Sequence, residues 1–227
     1  MKKTAFLFPK FLILATTAYA VVNLLHWPIG FTFFTQLSNL FLAAVVLLQL
    51  LFPKARFLPC LKFSAVLSIF ITFLVYLTVL GPVVPGGLAA AYAQDHGASF
   101  CLHLLNPALA MFDFFRNDAA FPYGKRHAAL ALIPPFLYFL FILALGRLGL
   151  RWGPTGMLAP YPFLDYSSPA GWFGLVVGGS RFFPIQIGVF YAVLALLLLF
   201  FAAAHALLFL ARRRHSAVST ARPKPSP

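Results

Sequence analysis

A chain of 227 residues that is 62% hydrophobic, 17% aromatic and only 9% charged, with a mean hydropathy of +0.90, cannot present a water-facing globular surface, since soluble domains carry about 25% charged residues. The excess of 17 basic over 4 acidic side chains does not indicate nucleic acid, because the basic residues form short clusters between apolar runs and in the tail and are not interleaved with aromatics on a polar face. Composition therefore predicts an all-α integral membrane bundle with lipids as its surroundings: a single domain over residues 1–211, followed by a basic, Ser/Pro-rich and disordered tail over 212–227.

In chain order, apolar stretches long enough to span a bilayer occur at roughly 5–26, 31–52, 62–84, 99–115, 128–149 and 185–211. The first also imitates a cleavable secretory signal, with Lys2 and Lys3 ahead of an apolar run and Ala18-Tyr19-Ala20 as a cut site. Pro9 and Lys10 interrupt that run, and apolar sequence continues through Val21-Val22-Asn23-Leu24-Leu25, so it reads as a span.

With the first terminus inside, the inner segments hold Lys2, Lys3, Lys10, Lys54, Arg56, Lys62, Arg116, Lys125, Arg126, Arg212, Arg213, Arg214, Arg222 and Lys224, fourteen of the 17 basic residues. Only Arg147, Arg151 and Arg181 are left outside. The asymmetry predicts six spans in the cell membrane with both termini cytoplasmic. Cys60 and Cys101 then fall near opposite faces, too far apart for a disulfide.

Residues 150–184 form the one long connection, where Pro154, Pro160, Pro162, Pro169 and Pro184 forbid a continuous helix. Within it Gly174-Leu-Val-Val-Gly178 is a weak small-residue packing motif, expected at the interface or in a re-entrant turn.

Polar residues inside the spans fall in stripes. Thr32, Thr35, Gln36 and Asn39 recur at helical spacing in the second span, with Ser38 beside them; Thr16, Tyr19, Asn23 and His26 do so in the first, and Ser64, Ser68, Thr72 and Tyr76 in the third. These stripes face other helices, and for most of their members an interhelical hydrogen bond contributing ~0.6 kcal/mol is a sufficient role.

The fourth span concentrates the chemistry, because His103, Asn106 and Asp113 are ionisable or strongly polar groups in an apolar run. Pro107 lacks an N–H and deprives the His103 carbonyl of its helical partner, which marks a cavity. Asp113 lies about 15 Å further along the axis and cannot orient His103 directly. Thr35 and His103 sit at similar depths, one turn or so inside the outer membrane face. A threonine hydroxyl becomes a nucleophile when a base such as neutral histidine takes its proton; a hydrogen-bonded structural pair satisfies the same spacing. Cys101 points to a different helix face from His103.

At these residues the sequence resembles the androgen-induced membrane hydrolases and their bacterial multi-pass relatives. Three segments carry the resemblance: Phe33-Phe34-Thr35-Gln36-Leu37-Ser38-Asn39-Leu40, then His103 with Pro107 and Asp113, then Tyr161-Pro162-Phe163-Leu164-Asp165. The animal members are threonine-dependent hydrolases of fatty acid esters of hydroxy fatty acids, so the resemblance implies Thr35 as nucleophile and His103 as its base. It departs at Asn39, four residues after Thr35 where the animal proteins carry a polar residue at three, and in having Asp for Glu at Asp113 and Asp165.

The expected activity is thus hydrolysis of a lipid ester within the membrane, with Gln36, Ser38, Asn39, Asn106, Asp113, Tyr161 and Asp165 as substrate-binding or supporting residues. Asp165 has two readings, a loop residue that orients His103 or a cap at the interface. The alternative function is non-catalytic, a small transporter or a lipid-binding or assembly factor whose polar cavity opens outward. Neither reading calls for a cofactor. No metal site is expected, since His26, His96, His127, His205 and His215 lack ligand spacing.

Overall fold

A computed structural model describes residues 6–177 and 185–220. Lys2, Lys3, Gly178, Arg181, Pro184, Arg222 and Lys224 lie outside the described residues. The fold is an all-α helical bundle. Its elements are α1 (Phe8–Leu24), α2 (Phe34–Leu51), α3 (Leu58–Val83), a short α4 (Gly87–Ala93), α5 (Asp95–Asp118), α6 (Lys125–Arg147) and α7 (Val189–Thr220). Five of these, α2, α3, α5, α6 and α7, are long and apolar enough to cross a membrane, and α1 falls just short at 17 residues.

Burial identifies the surroundings. In α3, 56% of the most apolar stretch is buried, against 17% in α6 and 22% in α7. The outward faces of α6 and α7 expose Phe136, Leu137, Phe141, Leu198 and Phe201. Helices that are apolar on their exposed faces are stable only where the medium is itself apolar, so this is a multi-pass membrane protein. The central α3 packs Phe63, Leu67 and Ile71 against Leu42 and Val46 of α2 and Phe114 of α5.

Prolines set the helix starts. Pro9, Pro59 and Pro134 each sit in a first turn, where a missing N–H costs nothing because that position has no partner in any case. Pro134 and Pro135 also explain why α6 breaks into Lys125–Leu130 and Ile133–Arg147. Pro107 acts differently, lying inside α5 just after a π-turn at Cys101–Leu105. The Asn106 N–H closes that turn on the Cys101 carbonyl, so an extra residue in the helix absorbs the defect that proline imposes. Among the described residues π-turns also occur at Tyr76–Leu80 in α3 and Phe114–Asp118 in α5.

Side-chain contacts show that the helices alternate in direction. At one end the Phe6 N–H bonds Asn117 Oδ1, Lys10 reaches Gln49, Lys62 reaches Asp113, and Arg212 bonds the Tyr123 carbonyl. At the other end Trp152, from the long connection, donates to Thr32 ahead of α2. These ends are called the basal and the loop end below.

The long connection is a packed cover. Trp152 is 1% exposed and forms an isolated bridge with Met157, and Tyr161 and Leu164 pack with Tyr138 and Ile142 of α6. Gly146 permits this close docking, since a Cβ there would sit 2.4 Å from the Leu158 carbonyl oxygen. Beyond it, Leu175–Val177 pairs antiparallel with Ile185–Ile187, Val176 opposite Gln186. The expected Gly174–Gly178 packing motif is therefore strand at Leu175–Val177. The last helix also departs from expectation, continuing past 211 to Thr220; Arg212 and His215 bond the carbonyls of Tyr123 and Ala120, which gives this basic stretch a surface to run along as helix.

Candidate functional site

Three polar regions follow one another from the loop end to the basal end. The first is a cavity of about 170 Å³ among α2, α3, α6, α7 and the cover. Its walls are apolar apart from Thr35, Thr72, Tyr138 and Tyr161. Thr35 is buried in the first turn of α2, and Tyr161, from the cover, lies against its side chain. The Tyr161 oxygen accepts the Phe34 N–H at 3.1 Å, while its ring meets Phe33 edge-on with centroids 5.5 Å apart. Burial holds the Tyr161 phenol above its ordinary pKa, and contacts with Thr35 and the Phe34 backbone draw it only part of the way back. The phenol keeps its proton, and its oxygen stands on the cavity wall between Thr35 and Tyr138. The Tyr138 hydroxyl is buried beside that of Tyr161.

The second region is a hydrogen-bonded hub below Thr35. Asn39 donates to the Thr35 carbonyl at 2.8 Å and to the Leu102 carbonyl at 3.2 Å, and its own carbonyl accepts from Asn106 at 2.8 Å. Asn106 also donates to Thr17 at 3.0 Å and accepts from Thr16 at 2.5 Å. Ser38 donates to the Thr35 carbonyl and pairs with Thr72 at 2.9 Å. Four helices are joined here, with each polar group turned toward another, as hydrocarbon surroundings demand.

His103 lies beside this hub, one residue after Leu102. Tyr76 opens the π-turn at Tyr76–Leu80 and His103 lies within the one at Cys101–Leu105. Their rings stack with centroids 3.5 Å apart and planes 10° from parallel. Tyr76 is itself fixed by the Ala91 carbonyl at 2.9 Å and Ser99 at 2.7 Å. Gly81 admits this turn, since a Cβ would press within 2.9 Å of the Tyr76 carbonyl oxygen. His103 Nδ1 is buried without a partner among the described residues, as is Gln36 Oε1. No hydrogen bond joins Thr35 to His103 among the described residues, and His103 is not among the residues that line the cavity.

The third region is ionic and basal. Asp113, fully buried, bonds Lys10 at 2.8 Å and Lys62 at 2.5 Å through one carboxylate oxygen and Asn117 at 2.7 Å through the other. Gln49 bridges Lys10 at 2.6 Å to Asp118 at 3.0 Å.

Of the expected site residues, the structure brings Thr35 and Tyr161 together at the cavity, and Ser38, Asn39 and Asn106 in the hub beneath. Asp113 stands apart in the basal cluster. Asp165 is turned into the cover: one carboxylate oxygen accepts the N–H groups of Leu158 and Ser167 and the Ser167 hydroxyl. Thr32 belongs to a 3₁₀ turn ahead of α2 and holds Trp152 at 2.8 Å. Reading spacing alone missed Thr17, Tyr138, and Tyr76 as the partner of His103. It also counted Lys10 and Lys62 only as topological charges, although each lies inside an apolar run where an isolated cation needs a partner. No family model matches the chain, and no curated protein or solved structure matches it.

Proposed function

We propose that the protein is an intramembrane hydrolase of lipid esters, oriented with both termini cytoplasmic and crossing the cell membrane six times with α1 as the first span. The reading is carried by one observation: Thr35 places a hydroxyl on the wall of an otherwise apolar cavity, beneath a cover that also supplies the Tyr161 phenol. An acyl chain fits the apolar walls, and its ester carbonyl then comes to rest at the polar group.

Thr35 Oγ1 attacks the ester carbonyl while His103 takes its proton, directly or through one water once the ester is bound. The tetrahedral oxyanion accepts the Tyr161 O–H proton as a hydrogen bond. Collapse expels the alcohol, which leaves with the proton from His103, and water then releases the fatty acid from acyl-Thr35. The resting stack of His103 on Tyr76 means that the imidazole must be drawn toward Thr35 on binding, an arrangement common before the Michaelis complex forms.

The missing Thr35–His103 hydrogen bond favours a second reading, a non-catalytic lipid-binding protein or transporter using the same cavity. Labelling of the purified protein with a fluorophosphonate probe separates the two. The hydrolase labels, and Thr35→Ala and His103→Ala abolish the adduct; if all three proteins label alike, or the wild type fails where an authentic threonine hydrolase succeeds, the enzyme reading is wrong. A binding protein retains lipid after Thr35→Ala and loses it after Thr72→Phe fills the cavity.

A further inference from the structure

The chain carries 17 basic residues and four acidic ones, Asp95, Asp113, Asp118 and Asp165. At the basal end Asp113 is taken by Lys10 and Lys62, and Asp118 is held by Gln49 and lies 4.0 Å from Lys10. Asp165 is in the cover and Asp95 opens α5 at the loop end. Among the described residues no ion pair engages the remaining basal cations.

Three of these cations converge. An open groove between the end of α5 and the stretch of α7 from Leu210 to Arg214 is lined by Arg116 from one helix and Arg213 and Arg214 from the other. Its floor is Met111, Phe112, Phe115 and Leu210; Phe112 and Leu210 are 53% and 46% exposed. The Arg213 guanidinium lies 4.2 Å from the Phe209 ring centroid, which fixes its stem along the apolar face. No ion pair engages any of the three arginines among the described residues.

We propose that this groove binds one anionic glycerophospholipid from the basal leaflet, its phosphate held by Arg116, Arg213 and Arg214 and its acyl chains laid along Met111, Phe112 and Leu210. Three like charges gathered from two helices repel one another until an anion sits among them, and guanidinium forks match phosphate oxygens in pairs. The apolar floor runs from the arginines toward the hydrocarbon, so a soluble anion neutralises the charges and leaves the floor bare, whereas a lipid satisfies both. A zwitterionic headgroup brings its own ammonium to the cluster and is disfavoured. The site is separate from Thr35 and stands whether or not the hydrolase reading does.

Native mass spectrometry of the full chain in detergent, titrated with phosphatidylglycerol and with phosphatidylcholine of the same acyl composition, tests the proposal. Phosphatidylglycerol is expected to bind at concentrations at least roughly tenfold lower, given the pull of several guanidiniums on an anionic headgroup. Arg116→Gln/Arg213→Gln/Arg214→Gln removes the preference, while Lys54→Gln/Arg56→Gln/Lys125→Gln, which deletes the same charge from exposed positions elsewhere at this end, keeps it. Inorganic phosphate in excess leaves the lipid bound. Equal binding of the two lipids, equal loss in both triple variants, or full displacement by phosphate would overturn the proposal. Should the arginine triple variant not elute as a monodisperse helical protein, the single variants Arg116→Gln and Arg213→Gln take its place, each expected to lose part of the preference; retention of all of it counts against the site.

Discussion

Asp113 and His103 stand on the same helix, α5, in opposite circumstances. Asp113 is surrounded by two lysines and an asparagine, every contact at hydrogen-bond distance. His103 has one aromatic ring stacked on it and a buried Nδ1 with nothing to bond among the described residues. In hydrocarbon an unpaired polar atom costs several kcal/mol, so a fold that saturates one end of a helix and leaves the other open holds itself together at the first and keeps groups available at the second. The basal cluster ties α1, α3 and α5 by charge and α2 through the Gln49 amide. The region under the cover joins α2 to the long connection through tyrosines whose hydroxyls still face a cavity.

Substitutions at the two regions should therefore fail in different ways. The largest effect is expected at Asp113→Ala, which strands Lys62, itself fully buried, beside Lys10 and lowers stability by about 3–5 kcal/mol. Lys10→Met/Lys62→Met/Asp113→Leu, which replaces the cluster with apolar side chains of similar size, should restore most of it. Thermal unfolding in detergent followed by tryptophan fluorescence reads both, and a single variant within about 1 kcal/mol of wild type would show the cluster to be dispensable.

Tyr161→Phe comes next if Tyr161 supplies the oxyanion donor. Turnover of a fatty acyl ester should fall by about 10²–10³ with its KM little changed, and an unaltered kcat would remove Tyr161 from the chemistry. Asn106→Ala, which undoes bonds to Thr16, Thr17 and Asn39 together, should cost roughly 1–2 kcal/mol at ~0.6 kcal/mol per bond within a membrane bundle. If its unfolding midpoint matches wild type, the hub is not what joins α1 to α5. Thr35→Ala should alter stability least, by about 0.6 kcal/mol, since its hydroxyl gives up a single hydrogen-bonding contact, with Tyr161. Hydrolysis should nonetheless be abolished. A strongly destabilised Thr35→Ala would blur the division between the two regions and recast Thr35 as a structural residue.

Much of this was readable in the linear sequence. Apolar length located the helices because a lipid-facing segment must be apolar and bond its own backbone, both properties of local sequence. Period 3.6 put Ser38, Asn39, Ser64, Ser68 and Thr72 on buried faces for the same reason. Even Tyr161, far from α2 in sequence, was marked by its motif. Pairings across the bundle were not readable. Hydropathy and charge rules weigh each segment separately, so Lys10 and Lys62 counted as markers of orientation although both close on Asp113.

The sequence by itself determined that this chain is a helical membrane protein with the polar stripes of its second and third spans turned inward and Thr35 and His103 near one end, although Tyr19 and His26 of the first-span stripe stand exposed. Only the tertiary structure decided what each polar group meets. Thr35 faces a cavity with Tyr161 because the cover docks closely at Gly146; His103, inside the π-turn at Cys101–Leu105, stacks on Tyr76, which opens the one at Tyr76–Leu80. A π-turn shifts every following side chain by about 100° around its helix. The direction in which a buried group points therefore depends on how helices settle against one another, which spacing along the chain does not encode.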